Sequence, residues 1–123
     1  ALQQPLHTLV KEDSLQNELR ALRLQMLRNC DQDWPIERLC GESHLGKSQF
    51  YFYYKRLFGA SPKEDLLEAR MDKASTLLTN EALQVQQVAR LCGFTSLPHF
   101  SRAFRARYHC APSEYASLRT RTP

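Results

Sequence analysis

No stretch of the chain holds the roughly 20 consecutive apolar residues that a membrane-spanning helix needs. The opening residues ALQQPLHTLV carry neither the basic start nor the apolar block of a secretory leader. A soluble, cytoplasmic protein is expected, with no membrane partner. Cysteine is scarce and poorly spaced for chemistry: residues 30, 40, 92 and 110 include no C-x-x-C pair, which argues against zinc ribbons and thioredoxin-like sites. Disulfides do not suit a cytosolic chain, so the four thiols read as small buried side chains with at most one of them reactive. Glycine-rich phosphate loops, metal-ligand spacings and carboxylate clusters are missing as well. Asp31, Ser43, His44 and Cys110 beside His109 have residue types fit for nucleophilic chemistry, but nothing accompanies them. No cofactor, no metal and no catalysis are expected.

What is present suits one small all-α protein. The 123 residues are 42% hydrophobic, enough to bury a core without metals or disulfides. The net charge of +4 permits contact with a polyanion, and its distribution says more than the total. Residues 90–121 hold six arginines against one acid, Glu114, whereas residues 11–42 hold five basic and seven acidic residues. Positive potential therefore belongs to the C-terminal third.

Apolar residues recur at spacings of three and four rather than in alternation, which predicts helices and no sheet. Residues 1–13 lack that periodicity and read as a tail or interdomain linker. The first helix is expected to open at Ser14, carry Leu15, Leu19, Leu22 and Met26 on one face, and end near Asn29. A short helix should start at Pro35 and run through Ile36, Leu39 and Cys40. After a turn over Ser43 to Gly46 the next helix has Phe50, either Tyr53 or Tyr54, and Leu57 inward, and Gly59 closes it in a left-handed conformation. Ser61-Pro62-Lys63-Glu64 is a helix-start signature. The helix it opens carries Leu67, Met71, Ala74 and Leu78 on one side and runs to about Thr79. The pattern then restarts with Val85, Val88 and Ala89, a turn over residues 92–96, and Phe100, Ala103, Phe104 and Tyr108.

The two halves superimpose in sequence. Phe50, Tyr54, Phe58, Pro62 and Glu64 recur fifty residues later as Phe100, Phe104, Tyr108, Pro112 and Glu114. Before the turn the offset is 49, pairing Leu39-Cys40 with Val88-Ala89 and Leu45 with Phe94, so one residue is inserted between the second turn and its helix. An apolar residue next to a small one lets a second helix cross closely, and aromatics fill the corner, as a helix-turn-helix demands. The aromatic stripes are assigned to core, which leaves function to the opposite faces. Those faces carry Lys47, Ser48, Tyr51, Phe52 and Lys55 in the first half. In the second they carry His99, Ser101, Arg102 and Arg105, with Thr95 and Ser96 at the helix start. These are side chains suited to phosphates and base edges.

From about Leu15 to Leu118 the chain resembles the DNA-binding domain of the AraC/XylS family of transcription regulators. The resemblance rests on Leu39-Cys40, Arg70 to Leu78, Val88-Ala89, Gly93-Phe94, the run Phe100-Ser101-Arg102-Ala103-Phe104-Arg105, and Pro112-Ser113-Glu114-Tyr115. It implies two helix-turn-helix subdomains of homeodomain-like, three-helix form, spanning residues 14–61 and 80–118. A connecting helix over 62–79 would join them, and 119–123 would be a C-terminal tail. It further implies double-stranded DNA as partner, with the second helix of each unit in successive major grooves. Base readout then falls to Ser48, Tyr51, Phe52, Pro98, His99 and Arg102, and phosphate contact to Lys47, Lys55, Thr95, Ser96 and Arg105.

Four positions depart from the family pattern. Phe52 stands where arginine is common, Gly46 replaces a capping serine, Pro98 enters the first turn of its helix, and His109 replaces the glycine ending the second unit, so a left-handed backbone is expected there. Family members commonly join this domain to a sensor or dimerisation domain, which 123 residues cannot include. The acidic balance of residues 11–42 leaves a surface for RNA polymerase or for that absent N-terminal domain. A protein-interaction module of the same fold, without specific DNA readout, is the alternative.

Overall fold

The computed structural model describes residues 6–120, and side chains from Asp13 to Arg119. Among them are seven helices and no strand: α1 (Leu6–Arg28), α2 (Ile36–Ser43), α3 (Lys47–Phe58), α4 (Pro62–Leu77), α5 (Val85–Leu91), α6 (Leu97–Tyr108) and α7 (Pro112–Thr120). Two compact units result. One takes in α1, α2, α3 and the chain to Asp65, and the other takes in Cys30–Asp33 and the chain from Leu66 onward.

In the first unit α1 begins at Leu6, so Ser14 is interior to the helix and caps nothing. Residues 6–13, expected as part of a tail or interdomain linker without helical periodicity, are helical. No glycine or proline interrupts the chain between Leu6 and Arg28, and helix continuity needs no apolar stripe along its whole length. Residues 1–5 of that stretch, and 121–123 of the C-terminal tail, lie outside the described residues; α7 extends through Thr120. Leu19, Leu22 and Met26 of α1, Leu39 of α2, and Phe50 and Tyr54 of α3 are buried. Tyr54 is the inward tyrosine and Tyr53 is exposed. Pro35 stands just outside α2 as its N-cap rather than within it. Trp34 donates its Nε1–H to the Asn29 carbonyl at 2.9 Å and lies beneath the Arg38 guanidinium, 3.7 Å from the ring centre.

One part-buried polar network joins α1, α3 and α4 at Asp65. Tyr54 donates its hydroxyl to Asp65 Oδ2 at 2.5 Å, and Arg23 donates from Nε to the same oxygen at 2.8 Å while lying over the Phe58 ring. Burial, then the Asp65 carboxylate, holds the Tyr54 hydroxyl well above its ordinary pKa. Ser61 accepts from the Glu64 N–H and donates to its carboxylate, both at 3.1 Å, which fixes the start of α4 as its sequence signature predicts.

In the second unit Met71, Ala74 and Leu78 of α4 pack with Val88, Ala89, Cys92, Phe94, Phe100 and Phe104. Leu67, expected on the same side, is exposed, because the core of this unit begins one turn later at Met71. The aromatics form a connected series: Phe94 and Phe100 at 5.3 Å, Phe100 and Phe104 at 6.0 Å, Phe104 and Tyr115 at 5.3 Å. Each such side chain contributes about 1.5–3 kcal/mol on burial. Arg70 donates to the carbonyls of Cys30 (2.6 Å) and Gln32 (2.9 Å). Gly93 sits against that segment at φ +93, and a Cβ there would lie 2.8 Å from the Asp31 carbonyl oxygen.

The turns repeat in geometry as in sequence. His44 and Gly93, 49 residues apart, are both left-handed, and Leu45 N–H to Cys40 O (3.3 Å) is matched by Phe94 N–H to Ala89 O (3.0 Å). At the far ends of α3 and α6, Gly59 and His109 are both left-handed, with φ 76 and 64, and each donates to the carbonyl four residues back at 2.8 Å. His109 thus adopts the conformation expected of it, at some strain.

Candidate nucleic-acid interface

In each unit a short helix, a tight turn and a twelve-residue helix are set so that the last buries one aromatic stripe and turns the opposite face outward. On α3 the buried stripe is Phe50 and Tyr54, and Lys47, Ser48, Tyr51, Phe52 and Lys55 are all exposed. At about 100° per residue those five lie within an arc of about 140°. On α6 the stripe is Phe100 and Phe104, and Pro98, His99, Arg102 and Arg105 are exposed on one face. Ser101 is half-buried at the margin of that face. Thr95 and Ser96 are exposed at the entry to α6.

The ends of the two helices differ. Ser96 caps α6 by accepting from the His99 N–H at 3.3 Å, which leaves its hydroxyl proton available to an acceptor such as phosphate. Pro98 falls in the first turn, where its missing N–H has no intrahelical role. The His99 ring stands edge-on to Phe94 at 5.9 Å. Gly46 caps α3 without a side chain.

Cationic groups on the two faces are not equally available. Arg102, Arg105 and Lys55 have no hydrogen-bond or ion-pair partner among the described residues. Lys47 pairs with Glu37 at 3.3 Å, both side chains being well exposed. Glu37 is held below its ordinary carboxylate pKa first by its own backbone N–H and then by that ammonium. Solvent screens an exposed pair of this kind, so a phosphate can replace Glu37 at little cost. Arg107, part of the arginine-rich stretch, is engaged by Glu68 through three contacts of 2.9–3.1 Å. It belongs to the scaffold. Arg56 was absent from the sequence candidates, yet its guanidinium lies 5.8 Å from the Phe52 ring centre; the i, i+4 spacing was the available signal.

Ser43 and His44 form no reactive site: Ser43 is buried and donates to the Leu39 carbonyl at 2.9 Å, and His44 shapes the turn. No group of three or more metal-ligating side chains occurs among the described residues. No described helix is long and apolar enough to cross a membrane.

Two helix-turn-helix units, each with its second helix facing outward, define a double helix-turn-helix protein. A family model described as a helix-turn-helix domain matches residues 39–117. The probable transcriptional regulator LumQ of Photobacterium leiognathi is 38% identical over 80 residues, covering 65% of this chain and 32% of that protein. A probable AraC family transcriptional regulator from Rhodopseudomonas palustris has a similar structure, with a TM-score of 0.73 at 26% identity over 84% of this chain and 97% of that one. The DNA-binding domain of AdpA, a global transcriptional factor solved with a target DNA, superimposes with a TM-score of 0.77 at 24% identity, covering 82% and 91% of the two chains. The chain belongs to the AraC-type family of helix-turn-helix domains found in transcription regulators. It spans about a third of the length of the curated relatives it matches.

Proposed function

We propose that the chain binds double-stranded DNA sequence-specifically within a bacterial transcription regulator, inserting α3 and α6 into successive major grooves. The observation that carries this reading is the pair Arg102 and Arg105. Both side chains are exposed and have no partner among the described residues, on a helix anchored from below by fully buried Phe100 and Phe104. An unpaired guanidinium on a rigid helix is preorganised for the O6 and N7 acceptors of guanine or for phosphate.

In this reading Arg102, His99 and Pro98 meet bases from α6, and Ser48, Tyr51 and Phe52 meet them from α3. Lys47, Lys55, Thr95, Ser96 and Arg105 hold phosphates, with Ser101 at the edge of the contact. The work is cytoplasmic, on the nucleoid. The acidic surface of residues 11–42 is set aside for RNA polymerase or an N-terminal sensor or dimerisation domain, since like charge keeps it off the duplex.

Fluorescence polarisation with labelled duplex at several salt concentrations tests the reading. Counterion release makes the logarithm of affinity fall steeply and linearly with the logarithm of salt, with a slope of several for four or more phosphate contacts. A chain that bound no duplex, or bound it with a flat salt response, would instead be an interaction module using the aromatics of α3.

A further inference from the structure

The outward face of α3 is the least polar part of the proposed interface. Phe52 is 56% exposed and Tyr51 46%, so neither ring is drawn into the core of its unit. At the offset of fifty residues, Phe52 occupies the place that Arg102 holds on α6, and Lys55 the place of Arg105. The two helices therefore keep the same backbone cation and differ at the central position: a guanidinium in one, a phenyl ring in the other.

The Phe52 ring is not loose. It meets the Tyr53 ring edge-on at 5.3 Å, with Arg56 beside it at 5.8 Å. Arg56 stands beside the Phe52 ring and Lys55 is exposed on the same helix, while Lys47 is held by Glu37; the charge next to the aromatics is positive, which suits a polyanion and disfavours a purely apolar partner. A phenyl ring has no donor or acceptor, so it cannot pair with the polar edge of any base. The one apolar feature that a base presents in the major groove is the C5-methyl group of thymine.

Resting on the DNA-binding reading above, we infer that the α3 half of the site is read through thymine methyl groups packed on Phe52 and Tyr51, whereas the α6 half is read through hydrogen bonds from Arg102. The class of target is an asymmetric site with thymines under α3.

Selection of bound oligonucleotides by the full chain supplies the site, and selection by Arg102→Ala identifies the α3 half as the part that stays specified. Deoxyuridine is then substituted for each thymine, which deletes the methyl and keeps both base pairing and the hydrogen-bonding edge. Each methyl lost under α3 should weaken binding about three- to fivefold, and thymines elsewhere should be indifferent. In Phe52→Ala the thymine duplex should weaken and the further effect of deoxyuridine should vanish. Phe52→Leu should keep the methyl preference, and Phe52→Arg should move selection toward guanine at that base pair. Melting temperatures check that these surface variants stay folded.

Specific binding that ignores deoxyuridine, or a Phe52→Ala loss equal on thymine and deoxyuridine duplexes, overturns the methyl readout and leaves the DNA-binding reading standing. Unchanged duplex affinity in Phe52→Ala assigns the aromatics to a protein partner and overturns it too. A chain without preference for any duplex overturns both readings.

Discussion

Tyr54 and Phe104 stand fifty residues apart at the same place in the two units, and so do Asp65 and Tyr115. In the first unit the pair is closed by a hydroxyl donating to a carboxylate that Arg23 also holds. In the second it is closed by two rings at 5.3 Å. A duplicated helix-turn-helix fixes the spacing between its helices and the volume to be filled, and it accepts either chemistry so long as polar atoms have partners. No buried side-chain nitrogen or oxygen lacks one among the described residues. The outward faces diverge in the opposite sense, apolar Phe52 on the unit whose core carries the Tyr54–Asp65 hydrogen bond and Arg102 on the unit where two rings meet instead.

The comparison breaks most visibly in the interiors. Phe104→Ala should destabilise the second unit by about 3–5 kcal/mol through lost burial and the cavity left behind. Tyr54→Phe in the first should cost about 1–2 kcal/mol, since the ring remains and Asp65 keeps Arg23. Denaturant titration of both variants would overturn the distinction if the two losses were equal.

The turns come next. Gly93→Ala combines a left-handed backbone with a Cβ driven to 2.8 Å from the Asp31 carbonyl, and should cost about 2–4 kcal/mol. Gly59→Ala has the same backbone problem but open space, and should cost about 1–2 kcal/mol. His109→Gly should gain up to about 1 kcal/mol as its strain is relieved. Thermal melts rank the three.

On DNA, Arg102→Ala should lose about 1–3 kcal/mol at its cognate base pair and relax discrimination there, whereas Arg105→Ala and Lys55→Ala should weaken all duplexes alike. An unchanged ratio of cognate to random affinity in Arg102→Ala would remove its base-reading role.

Alkaline pH also weakens both interiors. Burial pushes the Cys92 thiol from 9.0 up to about 11 and raises the Tyr54 hydroxyl. Both groups keep their protons in the folded state after the unfolded chain has released them. Stability is therefore complete below about pH 9 and declines as pH rises from there toward 11. Cys92→Ala should flatten the decline between pH 9 and 11, and an unaltered slope in denaturation at several pH values would refute the assignment.

Much of this was legible in the sequence because the decisive signals are local. Gly59, the Ser61-Pro62 start, and the fifty-residue recurrence of aromatics are each read within a few positions, and they located the turns and both outward faces. What escaped depends on partners far apart in the chain. Arg23 meets Asp65 across 42 residues, and Arg107 meets Glu68 across 39, so neither periodicity nor composition could show that one arginine of the basic stretch is engaged. The start of α1 escaped because a helix can continue through residues that show no apolar stripe. Leu67 was misplaced because a correct helical face does not tell where the covering core begins.

Arg70 grips the main chain of residues 30 and 32 through their carbonyl oxygens rather than through any side chain. Such a clasp is indifferent to the identity of what it holds, and the side chains of Asp31 and Gln32 point into solvent. Surface chemistry beside the second turn can therefore be rewritten at 31 and 32 without loosening it, while the single point-like ammonium of Arg70→Lys could not reproduce the two-pronged hold.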